Sequence, residues 1–382
     1  MKLALVHDYL SQDGGAEQVL RTFHHIWPEA PIFVLFNRAG SVPGFEEADV
    51  RESFLRWLPG ARTRFQWYLP LMPLATENYN LREFDVVLSS TSAFAEGVLT
   101  RPDALHISYC HTPPRYLWTD TQEYVAELKY NRLVKAVLPR VLHNLRLWDK
   151  MSVDRVDYFI ANSNVVRQRI QKYYRRESDI IYPPVLAKEY QPVEISAVGD
   201  YYVTGGRLVY YKRFDLVVHV FNRLGWPLKI FGSGPHLEKL RAMAKPNIEF
   251  VGRVNEAEKA KLLARARAFI HPQVEDLGIT PLESMAAGRP VIAYGVGGAT
   301  ETVVAGDTGV FFYEQNWEAL LDTLVHFDYQ AWDPAKIRAR AERFDEEIFR
   351  ERIRNYVEEK YAIFKETQGN YQRSAGAYAA GN

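Results

Sequence analysis

The chain has 382 residues, 47% of them hydrophobic, with a formal net charge of zero and a sequence pI near 7.2. That length suits two domains with a sizeable core, and the balanced charge makes no case for nucleic acid as a partner. The single cysteine, Cys110, excludes an internal disulfide framework, and no apolar run approaches the ~20 residues that span a bilayer. The opening MKLALVHDYL turns polar too soon for a signal peptide, so the expectation is a cytoplasmic protein.

Lys2 to Val6 reads as a buried strand and His7 to Gln12 as a polar loop. GGAEQVLRTFHHIW then reads as a helix opening at Gly14-Gly15. Strand, glycine turn and helix form the start of a nucleotide-binding half, whose helix N-terminus offers free N–H groups to an anion. The glycines make neither a GxGxxG fingerprint nor a P-loop. Further strands are expected at Ile32–Phe36, Val86–Ser89, His106–Cys110 and Tyr158–Ala161. Strands alternating with helices predict an α/β protein with parallel sheets.

Residues 54–82 mix Trp57, Phe65, Trp67 and Tyr68 with Arg56, Arg62 and Arg64, and residues 129–176 are rich in Lys and Arg. Each segment reads either as ordinary core and solvated surface or as a contact with an anionic membrane. HTPPRYLW, His111 to Trp118, directly follows the strand HISYC. A histidine at the carboxyl end of a parallel strand points toward the crevice where such sheets take ligands. ANSNVVRQRI, from Ala161, reads as a strand end and a helix capped by Ser163 or Asn164. The prolines of IIYPPV favour extended chain and mark a linker.

The second half restarts with YYVTGGRLVYYKRFDLVVHVF. Arg207 and Lys212 fall near one strand end, where a guanidinium fork and an ammonium can neutralise a diphosphate. PLKIFGSGP and NIEFVGRV read as two more strands, and 255–267 as a surface helix of mixed charge. A strand at Ala268–Ile270 leads into Glu275-Asp276, a turn at Gly278, a helix from Pro281 containing Glu283, the strand PVIAY and the pair Gly297-Gly298. A charged helix is expected over about 346–367, followed by a disordered tail at 368–382.

The string EDLGITPLE, followed by AAGRPVIA and GGATE, resembles the signature of the retaining GT-B glycosyltransferases of family GT4. HTPPRYLW resembles a subgroup rich in bacterial mannosyltransferases of surface-polysaccharide assembly (O-antigen, capsule, exopolysaccharide). The resemblance implies a GT-B fold, two Rossmann-like domains facing each other across a cleft. It assigns 1–182 to the acceptor and 183–345 to the nucleotide sugar, with the helix at 346–367 packing back on the first. It places His111 and Glu275 at the transferred sugar and Glu283 on the ribose. Gly14, Gly15, Arg207, Lys212, Gly278, Ile279, Thr280, Pro281 and Leu282 fall around the diphosphate, and Gly252, Arg253 and Val254 around the base. His7, Arg115 and Tyr116 are acceptor-side candidates.

The implied reaction moves a hexose, mannose from GDP-mannose, onto a lipid-linked or polysaccharide glycan with retention of configuration. No cofactor beyond the nucleotide-sugar donor and no obligatory metal is expected, since neither an Asp-x-Asp pair nor a cluster with metal-ligand spacing appears. Segments 54–82 and 129–176 would give peripheral contact with the inner face of the cell membrane. A UDP- or dTDP-sugar donor, a GT-B nucleotide-sugar epimerase and a catalytically silent nucleotide-sugar-binding scaffold stay open as alternatives.

Overall fold

Two parallel sheets organise the computed structural model, which describes residues 1–38, 40–122, 125 and 132–380. The chain divides into one unit of Met1–Tyr182 with Phe349–Asn382 and a second of Pro183–Ile348.

In the first unit β1 (Leu3–His7), β2 (Ile32–Val34), β3 (Val50–Glu52), β4 (Val86–Thr91), β5 (Leu105–Cys110), β6 (Tyr158–Ala161) and β7 (Ser178–Ile180) stand in the order β3-β2-β1-β4-β5-β6-β7. Every residue of β1, β2, β4 and β5 is buried, as expected of parallel strands covered on both faces. The edge strands β3 and β7, VRE and SDI, are half exposed. Each carries one apolar residue, so hydrophobic pattern alone does not reveal them.

The second unit repeats the plan. Here β8 (Tyr202–Arg207), β9 (Leu228–Ser233), β10 (Ile248–Gly252), β11 (Phe269–His271), β12 (Val291–Tyr294) and β13 (Gly309–Phe312) stand in the order β10-β9-β8-β11-β12-β13. Strand order reverses between β1 and β4 in one sheet and between β8 and β11 in the other. Beyond the carboxyl ends of such a strand pair a crevice opens, where open α/β sheets take ligands.

Several local expectations are adjusted. The helix expected from Pro281 spans Ile279–Ala286 behind Gly278, so Pro281 is its third residue and not its first. Proline fits there because the first four N–H groups of a helix lack intrahelical partners. Of the two proposed caps at 163–164, Ser163 does the work, its Oγ accepting from the Val166 N–H at 3.2 Å. The final helix, Glu346–Ala380, runs on through the segment expected to be disordered. That tail is low in core-forming residues, but its Ala, Gln and Arg favour helix; Gly381 and Asn382 lie outside the described residues.

Residues 54–82 fold as 3₁₀ turns at Phe54–Trp57 and Phe65–Leu71 and a helix at Met72–Glu77. Leu55 and Met72 join a buried cluster with Leu35 and Phe36, while Trp57 and Trp67 stay exposed under Arg56 and Arg64. The basic segment contains the helix Arg132–Ser152, and its first residues, 129–131, lie outside the described residues. No helix among the described residues is long and apolar enough to cross a membrane.

Phe349, at the head of the final helix, stacks on Phe23 at 5.9 Å and meets the edge of Tyr109 at 5.8 Å. Phe349→Ala should therefore lower the stability of the first unit by about 3–5 kcal/mol. Urea denaturation would check this, and a loss under about 1 kcal/mol, typical of a surface site, would place Phe349 outside the core.

Candidate functional site

In the first unit the switch point joins several motifs that are far apart in sequence. His7, the last residue of β1, lies in register with Ser90 of β4. Its Nδ1 stands 3.1 Å from both the Ser90 carbonyl oxygen and Ser90 Oγ. Ser90 Oγ in turn lies 2.8 Å from Nε2 of His111, which follows β5. On the other side, His7 Nε2 is 3.8 Å from Glu17 Oε1 on the helix Gly15–Ile26. Gly14, the residue before that helix, lets Glu17 lie close, since a Cβ there would sit 3.1 Å from Glu17 Oε2.

The His111 backbone is also fixed. Its N–H donates to the Thr91 carbonyl at 2.8 Å, and its carbonyl accepts from Asn162 Nδ2 at 2.9 Å. Ser163 Oγ donates to Asn162 Oδ1 at 2.9 Å, so the ANSN segment serves to hold the HTPP segment. Asp8 organises the β4 loop by accepting from the N–H groups of Ser92, Phe94 and Ala95 at 2.7–2.8 Å.

Burial first, and then the nearby His7, bring the His111 pKa down to about 3. Burial also opposes a charge on His7. There Glu17, with Asp8 and the Ser90 carbonyl, wins and raises its pKa above the usual 6.5. The same pair of strand ends thus pushes the two histidines in opposite directions.

The far end of HTPPRYLW is anchored as well. Trp118 Nε1 donates to Asp149 Oδ2 at 2.7 Å, and the Tyr174 hydroxyl lies 3.0 Å from Glu96 and 3.1 Å from Asp149. Burial raises both carboxyls, Asp149 to about 7. Nothing in the sequence flags this group, because its members come from four separate segments. Of the acceptor-side candidates, Arg115 is held by Asp120 at 2.7 Å and Tyr116 packs against the cluster around Leu117.

In the second unit the switch point carries an ion pair. Lys212, just after β8, places Nζ 2.6 Å from Glu275 Oε1 in the loop after β11. His271 Nε2 lies 3.9 Å from the other oxygen of Glu275, and the His271 ring is fully buried. Burial alone would raise the Glu275 pKa; Lys212 first, then His271 and Gln273, reverse this and bring it to about 2. Both His271 nitrogens and Gln273 Oε1 are buried with no hydrogen-bond partner among the described residues. Arg207 is exposed at the end of β8, and its charge is felt at Lys212.

The loop depends on glycines. The Glu275 carbonyl accepts from the Gly298 N–H at 2.9 Å, and a Cβ on Gly298 would stand 2.2 Å from Leu277 Cα. Gly278 has φ +89°, a conformation that side-chain-bearing residues avoid. Ile279, Thr280, Pro281 and Leu282 follow as the first turn of the helix.

Glu283 is buried, and its Oε1 receives Lys259 Nζ at 2.9 Å. Lys259 also reaches Glu256, which accepts from the Tyr190 hydroxyl at 2.9 Å. The Lys259 helix, Glu256–Ala264, is therefore more than the surface element its mixed charge suggests. Glu283 Oε2 has no hydrogen-bond partner among the described residues, and burial raises its pKa despite Lys259. Arg253 donates to Ser233 Oγ at 2.7 Å after Gly252. Arg253 and Val254 line a cavity of about 870 Å³ with Tyr201, Val251 and Ala257. Lys212, Glu275 and Glu283 are not among its lining residues, so the base-pocket candidates and the ion pair do not share that cavity. No group of three or more potential metal ligands occurs among the described residues.

The ion pair has a pH signature. The folded Glu275 pKa of about 2 lies below the ordinary 4.5, so its contribution is complete above pH 4.5 and fades as pH falls toward 2. Lys212→Met should lower stability at pH 7 by roughly 3 kcal/mol, leaving a largely buried carboxylate unpaired. The gap from the parent should narrow by pH 3. Urea titrations at both pH values would test it, and an equal gap at both would contradict the assignment.

The chain matches two family models, glycosyltransferase family 4 over residues 13–187 and glycosyl transferases group 1 over residues 192–327. Among curated proteins it is 26% identical over 195 residues to D-rhamnosyltransferase WbpZ of Pseudomonas aeruginosa, covering 47% of this chain and 49% of that one. It is 41% identical over 114 residues to a GDP-mannose-dependent alpha-(1-6)-phosphatidylinositol monomannoside mannosyltransferase of Mycobacterium tuberculosis, covering 26% and 30%. The chain spans about half the length of the first curated relatives it matches. The crystal structure of Anabaena HepE with UDP and glucose superposes with a TM-score of 0.69 at 18% identity, covering 94% of this chain and 99% of HepE. Two parallel-sheet Rossmann-like units, both family models and the superposition lead to one assignment: the chain belongs to the GT4 glycosyltransferases of GT-B fold.

Proposed function

We propose that the chain transfers a hexose, mannose from GDP-mannose, to a lipid-linked or polysaccharide glycan with retention of configuration. The observation that carries this reading is the Lys212–Glu275 pair at the β8/β11 switch point, with Arg207 beside it. Departure of a nucleoside diphosphate develops negative charge on phosphate oxygens, and preorganised cations lower the barrier to that step. Lys212 and Arg207 supply the charge, and the helix start at Gly278–Thr280 supplies N–H groups. Glu275, held ionised, accepts from sugar hydroxyls. The unpartnered Glu283 Oε2 suits a ribose hydroxyl. The role carried to His111 is contact with the transferred sugar.

Support for mannose comes from HTPPRYLW and from the M. tuberculosis relative that is named GDP-mannose-dependent. HepE was solved with UDP, which keeps a UDP-sugar donor as the second reading. The exposed Trp57 and Trp67 beneath their arginines, and the basic segment at 129–176, support docking on an anionic membrane surface where a lipid-linked acceptor resides.

Thermal-shift and calorimetric titration with GDP, UDP, ADP, dTDP and their sugars tests the reading. A ligand that binds the folded state at 100 times its Kd adds about 2.7 kcal/mol of stability. GDP and GDP-mannose should do so selectively. Glu275→Ala should then abolish transfer with nucleotide affinity kept, while Glu283→Ala weakens nucleotide affinity. Selectivity for UDP would remove mannose from the proposal, and equal loss of nucleotide affinity in both variants would contradict the separate roles.

A further inference from the structure

The contacts between His7, Ser90 and His111 determine which atoms carry protons. His7 Nδ1 faces the Ser90 carbonyl oxygen at 3.1 Å, and a carbonyl oxygen can only accept, so Nδ1 carries a hydrogen. The same N–H points at Ser90 Oγ, also at 3.1 Å, so that oxygen accepts from His7. The hydroxyl hydrogen of Ser90 is then free for its other neighbour, His111 Nε2 at 2.8 Å. An imidazole nitrogen that accepts carries no hydrogen, and the neutral ring must hold its one proton on Nδ1. The charges agree with this direction. Glu17 and Asp8 favour the protonated form of His7, while burial and His7 keep His111 neutral. Ser90 is fully buried, which leaves its hydroxyl few other ways to turn. His111 Nδ1 makes no hydrogen bond among the described residues, and the residue keeps 9% of its surface exposed.

We propose that Ser90 is a positioning residue that holds His111 as the Nδ1–H tautomer, so that the ring offers a hydrogen-bond donor, and not a base, to a hydroxyl or phosphate oxygen of a bound nucleotide sugar. The ligand in this proposal rests on the function proposed above; the tautomer rests on the geometry alone. His7 and Glu17 act one step further back, turning the Ser90 hydroxyl toward His111. A donor at this position discriminates by what it requires of the ligand. A sugar or phosphate oxygen satisfies it, and a ligand lacking that oxygen leaves the N–H unpaired.

Histidine-selective ¹⁵N NMR of the full chain at neutral pH reads the tautomer directly, with resonances assigned from His111→Gln and His7→Gln. The expected spectrum shows His111 protonated at Nδ1 and bare at Nε2, and His7 protonated at Nδ1. Ser90→Ala should lose the single-tautomer signature of His111, and Ser90→Thr, which keeps the hydroxyl, should retain it. An Nε2–H tautomer in the parent chain, or an unchanged His111 spectrum in Ser90→Ala, overturns the proposal. If Ser90→Ala fails to fold, the parent spectrum alone decides. GDP-mannose and then UDP-glucose, added to the parent, should shift the His111 Nδ1 resonance. A donor that stabilises the protein yet leaves that resonance unmoved overturns the donor role. Failure of both to bind strikes the function proposed above, while the tautomer is still decided by the ligand-free spectra.

Discussion

An ammonium and a carboxylate held 2.6 Å apart set the requirements for the second unit. Glu275 is largely removed from water, and an ionised carboxylate there is tolerable only because Lys212 balances it. To bring the two together, β8 must end beside β11, which the reversal of strand order at that pair provides. The Glu275 loop must also pass close to the chain after β12. Only glycine at 298 permits that, because a Cβ would occupy the space of Leu277. The Gly-Gly pair after β12 is thus explained by a carboxylate more than twenty residues earlier.

The first unit reaches a comparable end with uncharged and singly charged groups. Its switch point places His7, Ser90 and the neutral His111 in one hydrogen-bonded line, with Glu17 behind His7. Around it, Asn162 holds the His111 carbonyl and Asp8 holds three N–H groups of the β4 loop. Deeply buried polar groups are tolerated where they find partners, and these contacts leave one His111 nitrogen for a ligand. In the second unit, unpartnered atoms of His271, Gln273 and Glu283 belong to the two glutamates assigned to the donor or to their near neighbours in sequence.

What the sequence made legible follows physical rules. The central strands were readable because both faces are buried and their apolar runs are continuous. The edge strands at 50–52 and 178–180 were not, since a half-exposed strand of three residues carries almost no pattern. Lys212 and Glu275 were legible through their motifs, and the structure pairs them. Lys259 was not, because its partner Glu283 lies 24 positions away and its own helix looks like a solvated surface. Ser90 gave no signal at all: a serine inside a buried strand has no meaning until the register sets it between two histidines. Trp118 was visible in its motif, but its purpose appears only with Asp149, from another helix.

The most direct measurement is calorimetric titration of the parent chain and Lys212→Met with GDP and UDP, set against guanosine and uridine. The variant should lose at least about tenfold in affinity for the preferred diphosphate, near 1.4 kcal/mol. Its affinity for the matching nucleoside should stay unchanged. Equal diphosphate affinity in the two proteins would contradict the claim that Lys212, held by Glu275, is a preformed charge for the leaving group.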